Sequence, residues 1–224
     1  MTGTYFGKIF QLYALGRNYG YTDEELQEAE TKLGCSLPAA LREYYRVLGK
    51  RDQVNDAHNR LLPPEDLYFS TDKTLVFYEE NQAVAVWGFR KDDIQQEDPP
   101  VFGAYNNEFD DWFEDSPSTA AFLLSMAYWN AALGGLPHNA MTERLSAENV
   151  AFIEQHWEEQ KNISYQFLRF FTHDHNQILV LTVDKDGAPN GLYLAANNKT
   201  EYKNIVDTLA LQWQYRSDEN DQDA

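Results

Sequence analysis

Apolar and polar positions follow two different periods along this chain. Residues 75–78 form an apolar, aromatic run, 79–82 a polar break, and 83–89 a second apolar run rich in valine and aromatics. Two such runs across a short polar segment predict a β-hairpin. The second run is apolar at nearly every position, which predicts a strand covered on both faces. Asp98-Pro99-Pro100 excludes a central strand, so the chain must turn there before a third run at 101–105.

Elsewhere the period is helical. Residues 1–20 read as a helix docked on the domain. Thr22 is a predicted N-cap, Glu25 completes a capping box, and Asp23 and Glu24 add favourable charge to the first turn. Leu26, Ala29 and Leu33 recur at helical spacing and Gly34 ends the helix. Ser36 is the expected cap of the next helix, with Pro38 in its first turn, a stripe of Leu41, Tyr44, Tyr45 and Leu48, and Gly49 at its close. Residues 50–61 read as a mobile polar loop, and Glu65-Asp66-Leu67 as one short turn. After Tyr105 an acidic segment leads to Ser116-Pro117, the expected start of a helix through Leu123, Ala127 and Ala131 to Gly134-Gly135.

Pro137 opens a predicted linker, and Ser146 caps a helix carrying Val150, Ile153 and Trp157. Runs at 165–171, 178–183 and 192–196, separated by polar turns at 173–176 and Asp186-Gly187, predict a three-stranded antiparallel meander. A last helix from Thr200 to about Gln214 places Tyr202, Ile205, Val206, Leu209 and Trp213 on one face, and an acidic tail from Ser217 is expected to fray. The order gives an α+β fold: residues 1–136 as one domain, and residues 137–224 as a helix, three strands and a helix packed on it.

Composition narrows the function. Lysine and arginine number 18 against 36 acids, a formal charge of -18. That balance makes phosphate backbones and anionic membranes poor partners; it fits a soluble cytosolic protein kept apart from its neighbours by self-repulsion and, in a sharper reading, a protein with a basic partner. The first residues contain Lys8 and Arg17 but no continuous apolar core, so neither a secretory signal nor a membrane span is expected, and the location expected is cytoplasmic. Cys35, the single cysteine, excludes an internal disulfide and reads as a small buried apolar residue.

The order of short motifs resembles the SUKH superfamily, which contains bacterial toxin-immunity proteins and fungal cell-wall-assembly regulators. The stretches that carry the resemblance are Glu30 with Leu33-Gly34 and Leu37-Pro38, then Leu41-Arg42-Glu43-Tyr44-Tyr45 and Gly49. They continue with Leu62-Pro63-Pro64-Glu65-Asp66-Leu67, Glu80-Asn81-Gln82 with Val86-Trp87-Gly88, Asp98-Pro99-Pro100-Val101, and Phe122-Leu123 in a serine-led helix. They span roughly residues 20–135. Two departures stand out: Gly49 is followed by Lys50 where the family often has a glycine pair, and the half after Leu136 finds no counterpart. The resemblance implies a mixed, largely antiparallel sheet flanked by helices, and a non-enzymatic role, most often the binding and neutralising of a toxin.

Candidate chemistry concentrates between residues 92 and 115. Asp92, Asp93, Glu97, Asp98, Glu108, Asp110, Asp111, Glu114 and Asp115 occur there without a lysine or arginine, interleaved with Tyr105, Phe109, Trp112 and Phe113. Carboxylates speed encounter with a basic partner and aromatics anchor it, so the expected partner-binding residues are Asp92, Asp93, Glu97, Asp110, Asp111, Trp112, Glu114 and Asp115. Trp112 is the expected exposed anchor, whereas Trp87 belongs to the core. The bland alternative is a solvated loop with its rings tucked inward.

No residue is expected to be catalytic, to bind a cofactor or to ligate a metal. The regular spacing of a calcium loop is missing, and there is no glycine-rich phosphate loop, GxSxG, HExxH or cysteine pair. His173-Asp174-His175 has a spacing compatible with a metal if extended, but Asp and Asn favour a turn there. The expected function is an immunity-type protein that occludes the active site of a basic toxin such as a nuclease. A scaffold or regulatory protein of the same fold is the alternative, and an enzyme using carboxylates is the third reading.

Overall fold

The computed structural model describes residues 2–105, 111–164 and 167–219. Its organising element is the helix Thr119–Asn130 (α5 in chain order), of sequence TAAFLLSMAYWN, in which all but Ser125 and Trp129 are buried. A helix that is apolar on every side must be covered on every side. Two antiparallel sheets and the N-terminal helices provide that cover.

Before α5 the chain forms α1 (Thr2–Leu12), α2 (Asp23–Leu33), α3 (Ala39–Leu48) and a short α4 (Asp52–Asn55). Strands β1 (Arg60–Leu61), β2 (Tyr68–Phe69), β3 (Leu75–Glu79), β4 (Ala85–Phe89), β5 (Val101–Tyr105) and β6 (Phe113–Ser116) follow, with a 3-10 turn at Pro64–Asp66. They build a sheet in the order β1-β3-β4-β5-β6, with β2 also on β3. The predicted hairpin is β3–β4, and β4, internal to the sheet, is buried at all five positions.

After α5 and a π-helical turn at Ala131–Gly135 come β7 (His138–Thr142), α6 (Ala147–His156), β8 (Glu158–Glu159), β9 (Leu168–Thr172), β10 (Gln177–Val183), β11 (Pro189–Ala196), α7 (Lys199–Leu209) and β12 (Tyr215–Arg216). The second sheet runs β12-β7-β11-β10-β9-β8. Its central strands, β10 and β11, carry apolar residues on both sides. Ile178 and Val180 of β10 join Phe170 and Ala195 in the core around α5, while Leu179 and Leu181 join Phe171, Leu192 and Leu194 in a second core under α6 and α7. Alternate residues therefore serve two cores, which explains the unbroken apolar runs in the sequence. Among the described residues every strand pairing is antiparallel.

Local signals set the helix ends. Thr22 and Glu25 form the capping box of α2, and Gly34 closes that helix at φ +75°. Ser146 caps α6 reciprocally with Asn149. Other expectations are corrected. The helix after Cys35 starts at Ala39 without a serine cap: Glu30 Oε1 accepts from Leu37 N–H and the Glu97 carbonyl from Ala40 N–H. The cap of α5 is Ser118 rather than Ser116, because Ser116 is held in β6 opposite Val101. Pro137 leads into β7 instead of a linker, since β11 offers it a partner from Ala196↔His138 to Leu192↔Thr142. Helix α7 ends at Leu209, and Trp213 packs on the second core from the following segment, which turns back to add β12. Ser217 and Asp218 are bonded to Asn139 and Tyr202 rather than frayed; the rest of the tail, from residue 220, lies outside the described residues, as does Tyr165. Cys35 is partly rather than fully buried, and desolvation raises its thiol.

The largest correction concerns residues 50–61. They are polar but ordered by side chains in the core. Asn130 Nδ2 donates to the carbonyls of Val54 and Asn59, each at 2.8 Å, and Asn130 Oδ1 accepts from Asn59 N–H at 2.9 Å. Asn55 accepts from the Tyr44 hydroxyl and donates to the Leu48 carbonyl. Buried polar groups are stable where each finds a partner, and here they tie the segment to α5.

Candidate partner-binding site

The acidic stretch divides between the loop after β4 and the last strand of the first sheet. Asp92 and Glu97 are exposed in the loop. Asp93 accepts from the Gln96 side chain at 2.8 Å, and Asp98 accepts from Ala120 N–H at 2.9 Å, where a carboxylate favours the N-terminus of α5. Asp98 is thus a structural cap. Asp111 is exposed before β6 and Glu114 is exposed on it. Glu108, Phe109 and Asp110 lie outside the described residues. Trp112, expected as an exposed anchor, is partly buried and packs against the main core. The large exposed rings nearby are Tyr105 and Phe167, each 47% accessible.

Asp115 occupies a special place. Val101 pairs with Ser116 and Phe102 with Glu114, so one step on β5 spans two on β6, and Asp115 is the extra residue of a β-bulge. The bulge turns its carboxyl into a cavity of about 150 Å³ lined by Asn59, Trp87, Tyr105, Phe113, Met126, Trp129, Phe167 and Leu168. Both sheets and α5 contribute to those walls. Burial pushes the Asp115 carboxyl up to about 6, opposed by the nearby Trp87 indole N–H, which favours the charged form. That N–H is buried and makes no regular hydrogen bond. Burial, and after it the Asp115 charge, raise the Tyr105 phenol.

The aromatic wall follows from strand register. Trp87, Gly103 and Phe113 lie opposite one another across β4, β5 and β6. Gly103 has no side chain, and a Cβ there would come within 2.6 Å of the Phe113 ring and 3.1 Å of Trp87 Nε1. The Phe113 ring lies over that gap and stacks on Tyr105 with centroids 5.0 Å apart. Asn59 is 4% exposed; its backbone bonds to Asn130, but its side-chain Oδ1 accepts no hydrogen bond among the described residues.

The sequence named Asp115 but not its direction, and it missed Asn59, Trp129 and Phe167. The one signal available for β6 was the glycine at 103, facing an aromatic on the neighbouring strand. The histidines of 173–175 lie in the turn between β9 and β10. His175, at φ +61°, bonds the Tyr128 hydroxyl at 2.8 Å, and His173 packs on Trp157. Among the described residues no group of three His, Cys, Asp or Glu side chains is placed to hold a metal, and no helix is long and apolar enough to cross a membrane.

Residues 20–125 match the model of the SMI1 / KNR4 family (SUKH-1), just under half of the chain. The match takes in α2, α3 and the first sheet and ends within α5. No curated protein and no solved structure gives a match.

Proposed function

Starting from the membership of residues 20–125 in the SUKH superfamily, we propose that this protein is a non-enzymatic, immunity-type binding protein that neutralises a basic toxin by occluding its active site. A nuclease is the toxin class that fits best, because a protein that grips nucleic acid must present a cationic groove. The observation that carries the reading is the composition of β6 and its surroundings. Asp111 and Glu114 are exposed, Asp115 is turned into a cleft, and Tyr105 and Phe113 stack beside them. Acids outside and rings within match the division of labour in protein interfaces, where charge accelerates encounter and buried rings hold the complex. The bland alternative for Glu114 is protection of an edge strand from adding another chain.

The two explanations separate in kinetics. Where a basic protein is encoded directly beside this protein's gene, that product is the toxin to test. Replacing Asp92, Asp93, Glu97, Asp111 and Glu114 by their amides should slow association with it about tenfold at low salt and flatten its salt dependence. Association rates that stay unchanged would overturn this choice of surface. Growth of cells expressing the toxin that is not rescued by this protein would overturn the immunity role.

A further inference from the structure

The cavity beneath the β6 bulge holds unused recognition chemistry. Asp115 and Asn59 are among the residues that line it, and the amide oxygen of Asn59 is buried and without a partner among the described residues. Flat rings of Trp87, Tyr105, Phe113 and Trp129 make up much of the remaining wall. At about 150 Å³ the space suits the end of one long side chain rather than a cofactor. A carboxylate with the Trp87 indole N–H beside it and an amide oxygen that accepts nothing, set among aromatic faces, suit a flat cation with several N–H groups.

We propose that this cavity receives the guanidinium of one arginine side chain of the protein's partner, which donates to Asp115 and Asn59 and stacks between the rings. The proposal rests on the reading of a basic partner and specifies where that partner is anchored. It also gives the second sheet a part in recognition, because Phe167 and Leu168 close one side. An ammonium would satisfy the charge but could not stack or bridge two acceptors in one plane as a guanidinium does. The adjoining cavity, which shares Asp115, is lined by Glu114 and Lys161. Among the residues that line the cavity itself, Asp115 is the one charged side chain.

The test uses the full chain and short blocked peptides carrying a central arginine, citrulline or lysine, with binding read from the indole N–H signals of Trp87 and Trp129. The arginine peptide should shift both signals saturably. Citrulline, which keeps the shape and loses the charge, should bind at least tenfold more weakly, and lysine should fall between. Asp115→Asn should weaken arginine binding at least tenfold, and Tyr105→Ala, at the rim, should do so several-fold. Equal binding of arginine and citrulline, full binding by Asp115→Asn, or unshifted indoles would overturn the proposal. Since the probe is a peptide, such a result removes the anchor and leaves the basic-partner reading standing, whereas unchanged toxin kinetics overturn the choice of the acidic surface and leave arginine binding in the cavity to be judged by the peptides.

Discussion

Two buried polar regions meet at Asn59 and treat their polar atoms in opposite ways. Around Asn130 the side-chain amide and the backbone groups it meets are paired, with Val54 and with both backbone groups of Asn59. Around Asp115, on the other side of Asn59, one carboxylate is desolvated, one indole N–H lacks a regular bond and one amide oxygen accepts nothing. The first arrangement holds a polar segment to an apolar helix. The second weakens the isolated protein, since buried polar groups without partners cost free energy. A molecule that satisfies one set and leaves the adjacent set open separates the polar groups that hold the fold together from those that do not.

The contrast can be broken by mutation. Asn130→Leu should be the most damaging change, because it strands the Val54 carbonyl and the Asn59 N–H and leaves the Asn59 carbonyl with only the long bond from the Tyr78 hydroxyl at 3.4 Å. A loss of about 3–4 kcal/mol is expected in urea unfolding. A loss below 1 kcal/mol would mean that the network is dispensable.

Asp115→Asn should act in the opposite direction. The folded carboxyl titrates near 6, above its unfolded value, so the folded state holds its proton longer. Below about pH 4 both states are protonated and the group contributes nothing adverse; as pH rises through 6 the wild type loses stability. The variant should match the wild type at pH 4 and exceed it by about 2–3 kcal/mol above pH 7. A stability difference independent of pH would contradict the desolvated carboxylate. The smallest effect is expected from Asn59→Ala, which removes the idle oxygen and keeps both backbone bonds. A cost of less than about 1 kcal/mol in the same unfolding experiment would confirm that its side chain stands outside the network.

What the sequence disclosed follows from how local each signal was. The ends of α2 were readable because Thr22, Glu25 and Gly34 act on backbone within one turn. The meander β9–β10–β11 was readable because its apolar runs are separated by polar turns. By contrast, β7 carries His138, Asn139 and Thr142 and becomes a strand only because β11 and β12 flank it. Strand β6 escaped notice because the bulge at Asp115 breaks the alternation by which strands are recognised. The Asn130 network joins residues 71 and 76 positions apart, beyond the reach of any periodicity. At the site, composition marked the acids. Only tertiary packing separated Asp98, a helix cap, from Asp115, a group facing a cavity.

The central position of α5 has a practical consequence for work with fragments. A truncation placed where the family match stops would sever this helix in mid-course. One placed at its end would uncover the flank now shielded by Phe170, Ile178 and Val180. Either cut leaves an oily surface facing water, so chimeras that exchange the second sheet should preserve those three contacts while varying the rim at Phe167.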